Sequence, residues 1–193
     1  MTQSSRESVL LVMDIQQGIV GRFGDTAGYL DRLAQAIAAA RAAGIPVAYV
    51  RVGFRPGHPE ISARDKTFAA IASSHALNDD DPAARIHPAV APEPHDLVIT
   101  KRRVSAFAGS DLDVVLRGLS VSTLVLAGIA TSGVVLSTLR QAADLDYGLV
   151  VLADGCLDTD PEVHRVLTEK VFPRQADMLS VADWSAGTAK PQS

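Results

Sequence analysis

Short apolar runs recur along this chain, each bounded by polar or turn-forming residues. Val9–Asp14 (VLLVMD), Ile45–Val52 (IPVAYVRV), Asp96–Lys101 (DLVITK), Thr123–Ala127 (TLVLA) and Gly148–Ala153 (GLVVLA) are continuous rather than alternating. Continuous runs of this length predict strands buried on both faces of a sheet. Met178–Val181 is a candidate for a sixth, short strand. Between the runs the period changes. Tyr29–Ala43 places Leu30, Leu33, Ile37 and Ala40 at helical spacing and closes on Gly44. Ser110–Leu119 opens with an Asp-rich turn after Ser110, a good helix start. Thr131–Leu145 and Asp160–Val171 are the next helices, the latter capped by Thr159 or Asp160. Ser62–Ser74 is a weaker helix candidate. Gly53–Pro59 reads as a loop, and Asn78–Pro94, with its prolines and acids, as irregular chain.

Strands alternating with helices predict an α/β fold: a three-layer α/β/α sandwich around a mostly parallel, Rossmann-like sheet. Ligands of such sheets bind outside the carboxyl ends of the strands. That rule selects three places, Asp14–Gln17, Lys101–Gly109 and Gly128–Val134. A length of 193 residues and an apolar fraction of 47% suit one domain over 1–193, with 1–8 and 186–193 as flexible tails. The net charge of -4 argues against nucleic acid as a partner, and no apolar run is long enough to span a membrane. The first residues lack a secretory signal pattern, and the single cysteine, Cys156, excludes an internal disulfide, so a cytoplasmic setting is expected.

Two charged residues end strands. Asp14 follows five apolar residues, where a partly desolvated carboxyl rises in pKa unless a cation is near. On position alone, a cap and a catalytic acid are equally good readings of it. Lys101, in VITKRR, reads alone as a solvated strand end. The third place is a strand–turn–helix, STLVLAGIATSGVVLST over residues 122–138, which turns backbone N–H groups toward anything bound there.

Taken together these segments resemble the isochorismatase-like cysteine hydrolases. The turn matches Gly-x-x-Thr-x-x-Cys-Val-x-x-Thr at Gly128, Thr131, Val135 and Thr138, but the cysteine position holds Val134. LLVMDIQ matches the family's strand-Asp-x-Gln, and KRRVSAFAGSDL its Lys followed by Ser-x-Phe and a Leu-bearing helix, here Ser105, Phe107 and Leu112. The resemblance implies Asp14 as general acid/base, Lys101 as its partner, and a cis peptide at Ile129–Ala130. It also implies a pocket drawn from Gln16, Phe54, Phe107, Ile129, Ala130 and Gly133. Valine forms no covalent adduct, so the family's thiol route is closed at position 134. Cys156, past the fifth strand in LADGCLD, reads as a structural residue. His164 reads as a packing or capping residue, and Arg102 and Arg103 as surface or ion-pair residues.

The loop RVGFRPGHPE lacks the metal-ligand spacing of the nicotinamidases in this superfamily, offering only His58 and Glu60. No metal or cofactor is expected. Phe54 could stack on a substrate and Arg55 bind an anionic one, a solvated loop being as good a reading. The leading expectation is a hydrolase of a small organic molecule that works by water, with vinyl-ether cleavage as the model reaction. A binding or assembly protein without turnover and a water-based amidase are the alternatives. Homo-oligomers, dimers or tetramers, are common in this family.

Overall fold

The computed structural model describes residues 7–189. The six apolar runs form one sheet: β1 (Ser8–Met13), β2 (Val47–Val52), β3 (Leu97–Lys101), β4 (Thr123–Ile129), β5 (Gly148–Leu157) and β6 (Asp177–Leu179). Their order is β3-β2-β1-β4-β5-β6, and every adjacent pair is parallel. β1 and β4 lie at the centre and are buried at every position. This is why their sequences show no alternation: both faces are covered.

The helices divide between the two faces. α2 (Ala27–Ala42) and α7 (Val181–Thr188) cover one, where Leu33, Ile37 and Trp184 pack on Leu10, Val12 and Val125. α4 (Leu112–Gly118) and α5 (Leu136–Asp144) cover the other, where Leu112, Leu116 and Leu139 meet Leu11, Met13 and Leu126. Successive β1 residues feed opposite cores, as the two-residue strand period requires. Each fully buried aliphatic side chain contributes about 1.5–3 kcal/mol. The short helices are α1 (Gln17–Val20), α3 (Ala69–Ser74) and α6 (Pro161–Val166). A smaller cluster of Val52, Phe54, Phe68, Leu77 and Ala84 forms a cap at the carboxyl end of β2. Among the described residues, no helix is long and apolar enough to cross a membrane.

Several boundaries differ from the sequence reading. The Ser62–Ser74 helix contracts to α3, because its first half is turns held by Asp65 accepting from Thr67 and Phe68 N–H. The helix expected over Thr131–Leu145 starts as a π-helix, Thr131–Val135, before α5. The one expected from Asp160 is α6 continued by a π-helical stretch, Leu167–Val171. Of the expected tails, 1–6 and 190–193 lie outside the described residues. Ser8 already belongs to β1, and α7 runs to Thr188, with Ser180 Oγ accepting from Asp183 N–H at 3.0 Å.

Two features shape the carboxyl end of the sheet. A Cβ on Gly128 would run into the Met13 carbonyl, so the close approach of β4 to β1 requires glycine there. On the other side, β5 carries a bulge: from Leu126 to Gly128 the chain advances two residues, while its partner advances five, from Val151 to Cys156.

Candidate active site

Asp14 and Lys101 meet. Lys101 Nζ lies 2.9 Å from Asp14 Oδ2, and both side chains are almost wholly buried. Lys101 ends β3 and Asp14 follows β1, so two strand spacings, about 10 Å, separate their backbones. A long side chain is needed to cross the end of β2, and lysine supplies it. The other two Nζ protons go to the carbonyls of Arg103 and Val104, each at 3.0 Å. All three ammonium donors are thus engaged. Asp14 differs: its Oδ1 is buried with no hydrogen-bond partner among the described residues. The residue adopts φ 59°, a left-handed conformation that Asp tolerates better than most. Burial pushes the Asp14 carboxyl above its ordinary value, against the opposing pull of Lys101.

The Lys101 loop is fastened to α5. Ala106 N–H donates to Thr138 Oγ1 at 3.0 Å, and Ser105 Oγ to Gln141 Oε1 at 2.7 Å. Thr138, the last Thr of the sequence motif, therefore serves the lysine loop.

The turn after β4 stands beside Asp14, since Gly128 is paired with Met13. The Ile129–Ala130 peptide is cis. Val134 is buried in the α4–α5 core together with Val135, Met13 and Cys156. Several turn amides are already engaged: Ser132 N–H donates to Asp158 Oδ2 at 2.7 Å, and Gly133 and Val135 N–H donate to the Ala130 carbonyl. Thr131 Oγ1 is hydrogen-bonded to His164 Nδ1 at 2.8 Å. Sequence reasoning did not connect Asp158 or His164 with this turn. The only signal was that both lie in or just before the helix following β5.

Other expected pocket residues stand elsewhere. Gln16, expected in the pocket wall, is fully buried and acts as a staple. Its Nε2 donates to the Val52 and Ala84 carbonyls and its Oε1 accepts from Val52 N–H, all at 2.8 Å. With every amide group engaged it has nothing to offer a substrate; it ties the strand ends to the cap. Gln16→Ala leaves three buried backbone groups without partners and is expected to cost about 3 kcal/mol or more in denaturant unfolding. A loss below about 1 kcal/mol would contradict the staple.

Phe54 is likewise no open stacking surface, because it fills the cap between Phe68 and His58. Arg55 is not a free anion binder, its guanidinium pairing with Glu60 at 2.6 Å. Phe107 packs against Tyr147, and Ile129 lies in the opposite core. Arg102 forms a two-pronged pair with Asp79 at 2.9 and 3.0 Å. His58 Nε2 is bonded to the Ala76 carbonyl. Among the described residues, no three His, Cys, Asp or Glu side chains group as metal ligands.

Cys156 is buried, and burial pushes its thiol up to about 12. It is expected to react with iodoacetamide far more slowly than a free thiol, because the thiolate is the nucleophile. Mass spectrometry of the native protein checks this, and labelling within minutes at pH 8 would reverse the assignment.

The isochorismatase domain model matches residues 8–183. The chain is 35% identical over 188 residues to the ureidoacrylate amidohydrolase RutB of Methylobacterium radiotolerans, covering 81% of this chain and 69% of that one. It is 33% identical to the uncharacterized isochorismatase family protein YecD of Escherichia coli O157:H7, covering 93% and 95%. Among solved structures, a cysteine hydrolase from Pseudomonas syringae pv. phaseolicola superposes with a TM-score of 0.89 at 22% identity, covering 97% and 95%. An isochorismatase family protein from Burkholderia thailandensis gives 0.83 at 28%, covering 96% and 97%.

Proposed function

We propose, from the premise that this chain belongs to the isochorismatase family of hydrolases, that it hydrolyses a small organic molecule with water as the nucleophile and Asp14 as the proton carrier. The observation that carries the reading is the unpartnered Oδ1 of a buried Asp14 whose other oxygen is held by Lys101. A carboxyl with its pKa raised by burial can hold a proton and give it up to a bound molecule. Lys101 stabilises the carboxylate that remains. No thiol is required: position 134 is valine and Cys156 is structural in this scheme.

For a vinyl ether, Asp14 passes its proton to the terminal carbon as the double-bond electrons form the new C–H bond. Water adds to the cation left at the ether-bearing carbon. The excess proton returns to Asp14, and the hemiketal collapses to a ketone and an alcohol.

One observation favours a second reading. The similarity to ureidoacrylate amidohydrolases points to ureido or amide substrates, with Asp14 taking the proton from water as it attacks the carbonyl and handing it to the departing nitrogen. Engagement of the Ser132, Gly133 and Val135 amides means that this route, which leans on the turn to hold an oxyanion, has to draw on the Ala130, Thr131 and Val134 amides. A screen of enol-ether acids beside ureido acids and small amides, with Asp14→Asn as the blank, tests both. Turnover that survives in the blank would remove Asp14 from the chemistry, and no turnover of any class would leave a binding protein of the same fold.

A further inference from the structure

The π-helical turn that follows β4 is held from outside by the chain that follows β5. Three observations converge on it. The bulge in β5 lets Cys156 and Leu157 pair with Gly128 and Ile129, which brings the next residue, Asp158, level with the turn. Asp158 then accepts the Ser132 N–H through Oδ2 at 2.7 Å, while its Oδ1 accepts from Asp160 N–H at 3.4 Å and Thr159 Oγ1 at 3.5 Å. Six residues beyond Asp158, His164 Nδ1 reaches the fully buried Thr131 Oγ1 at 2.8 Å. Asp160, the cap of α6, accepts from Glu162 and Val163 N–H and so fixes the helix that carries His164.

The turn needs such support. A helix start leaves its first N–H groups without internal partners, and here the Ala130 carbonyl is already shared by Gly133 and Val135. A carboxylate suits a helix start, where the backbone dipoles favour negative charge. The bulge is itself braced from the other face: Tyr29 Oη donates to the Gly155 carbonyl at 3.2 Å, and Asp154 Oδ1 accepts the first amide of α7 at 2.7 Å.

The geometry points to Asp158 and His164 as positioning residues that hold the 130–135 turn in register beside Asp14. This inference rests on the hydrolase reading for its effect on rate, though not for its effect on the turn. Neither residue touches the reacting atoms in this scheme; both act through Ser132 and Thr131.

Hydrogen exchange resolved by segment, on the whole protein, tests it without a ligand. Asp158→Ala and His164→Ala are expected to speed exchange of the 130–135 amides about tenfold or more, while β1 and β4 keep their protection. Asp158→Asn and His164→Asn keep an acceptor or donor at the same place and should restore most of the protection. With a substrate from the screen, the alanine variants should lower kcat with KM nearly unchanged, and the asparagine variants should recover it. Unchanged exchange at the turn, or loosening spread evenly through the core, would overturn the brace. If exchange responds as expected but no substrate class is turned over, the hydrolase reading fails and the brace stands; turnover left intact by Asp14→Asn removes Asp14 from the chemistry and leaves the brace untouched.

Discussion

Asp14→Asn is expected to lower turnover of any substrate found for this protein by about 10²–10⁴-fold, the usual worth of a positioned acid or base. Asparagine preserves shape and still accepts from Lys101, but it can neither hold nor release the proton. The fold should survive at some cost in stability, because the Lys101 ammonium loses its counter-charge but keeps its contacts with the Arg103 and Val104 carbonyls. The loss of activity should fall on kcat, with far-UV circular dichroism near that of the unaltered protein and a lowered melting temperature, since Lys101 is left without its counter-charge. A variant that retains a tenth or more of the activity would remove Asp14 from the chemistry.

Lys101→Met should have the largest effect on stability. It removes one partner of a buried ion pair, which typically costs about 3–5 kcal/mol because the remaining charge stays buried alone. It also strips the two carbonyls of their donor. The cost should depend on pH with a definite sign. The folded pKa of Asp14 already lies above its unfolded value of 3.8. Its stabilising contribution is therefore complete below 3.8 and is lost as pH rises through the folded pKa. Without Lys101 to oppose burial, that folded pKa climbs further, so the loss extends toward neutral pH. The variant should consequently lie closest to the unaltered protein in acid and furthest from it in mild alkali. Denaturant unfolding at pH 5 and pH 8 measures the gap. Adding Asp14→Asn to Lys101→Met should recover part of the alkaline loss, and a gap that is equal at both pH values would contradict the ion-pair account.

Much of this arrangement was legible in the sequence, for a physical reason. Strands buried on both faces must be continuously apolar, so a charged residue at their carboxyl ends is conspicuous. Asp14 draws notice on that ground, though a cap reads it equally well, whereas Lys101 ends a half-exposed strand and takes its role and its pairing from the family resemblance alone. What stayed hidden is set by contacts distant in sequence. Gln16 reads as a pocket residue because the resemblance of its strand-Asp-x-Gln segment implies it, and only the positions of the Val52 and Ala84 backbones reveal the staple. Arg55 reads as a free cation until Glu60 is seen beside it. The bulge in β5 leaves no periodic trace, and without it Asp158 is merely an acid after a strand. α7 was missed because Met178–Val181 reads as a short strand and the small, polar residues from 186 on as a tail, although Ser180 and Asp183 form a serviceable helix-start signal at its first turn.

The lysine that completes the site belongs to the last residue of an edge strand. β3 has a neighbour on one side alone, β2, whereas the strand before Asp14 is enclosed by β2 and β4. Edge strands dock with fewer contacts and open more readily than central ones. During folding, then, the central strands can assemble around Asp14 before its counter-ion arrives, and the pull of burial on its carboxyl goes unopposed by Lys101 until β3 joins. The Asp14–Lys101 pair would thus be the last contact of the candidate site to form as the sheet closes and the first surrendered as its margin frays.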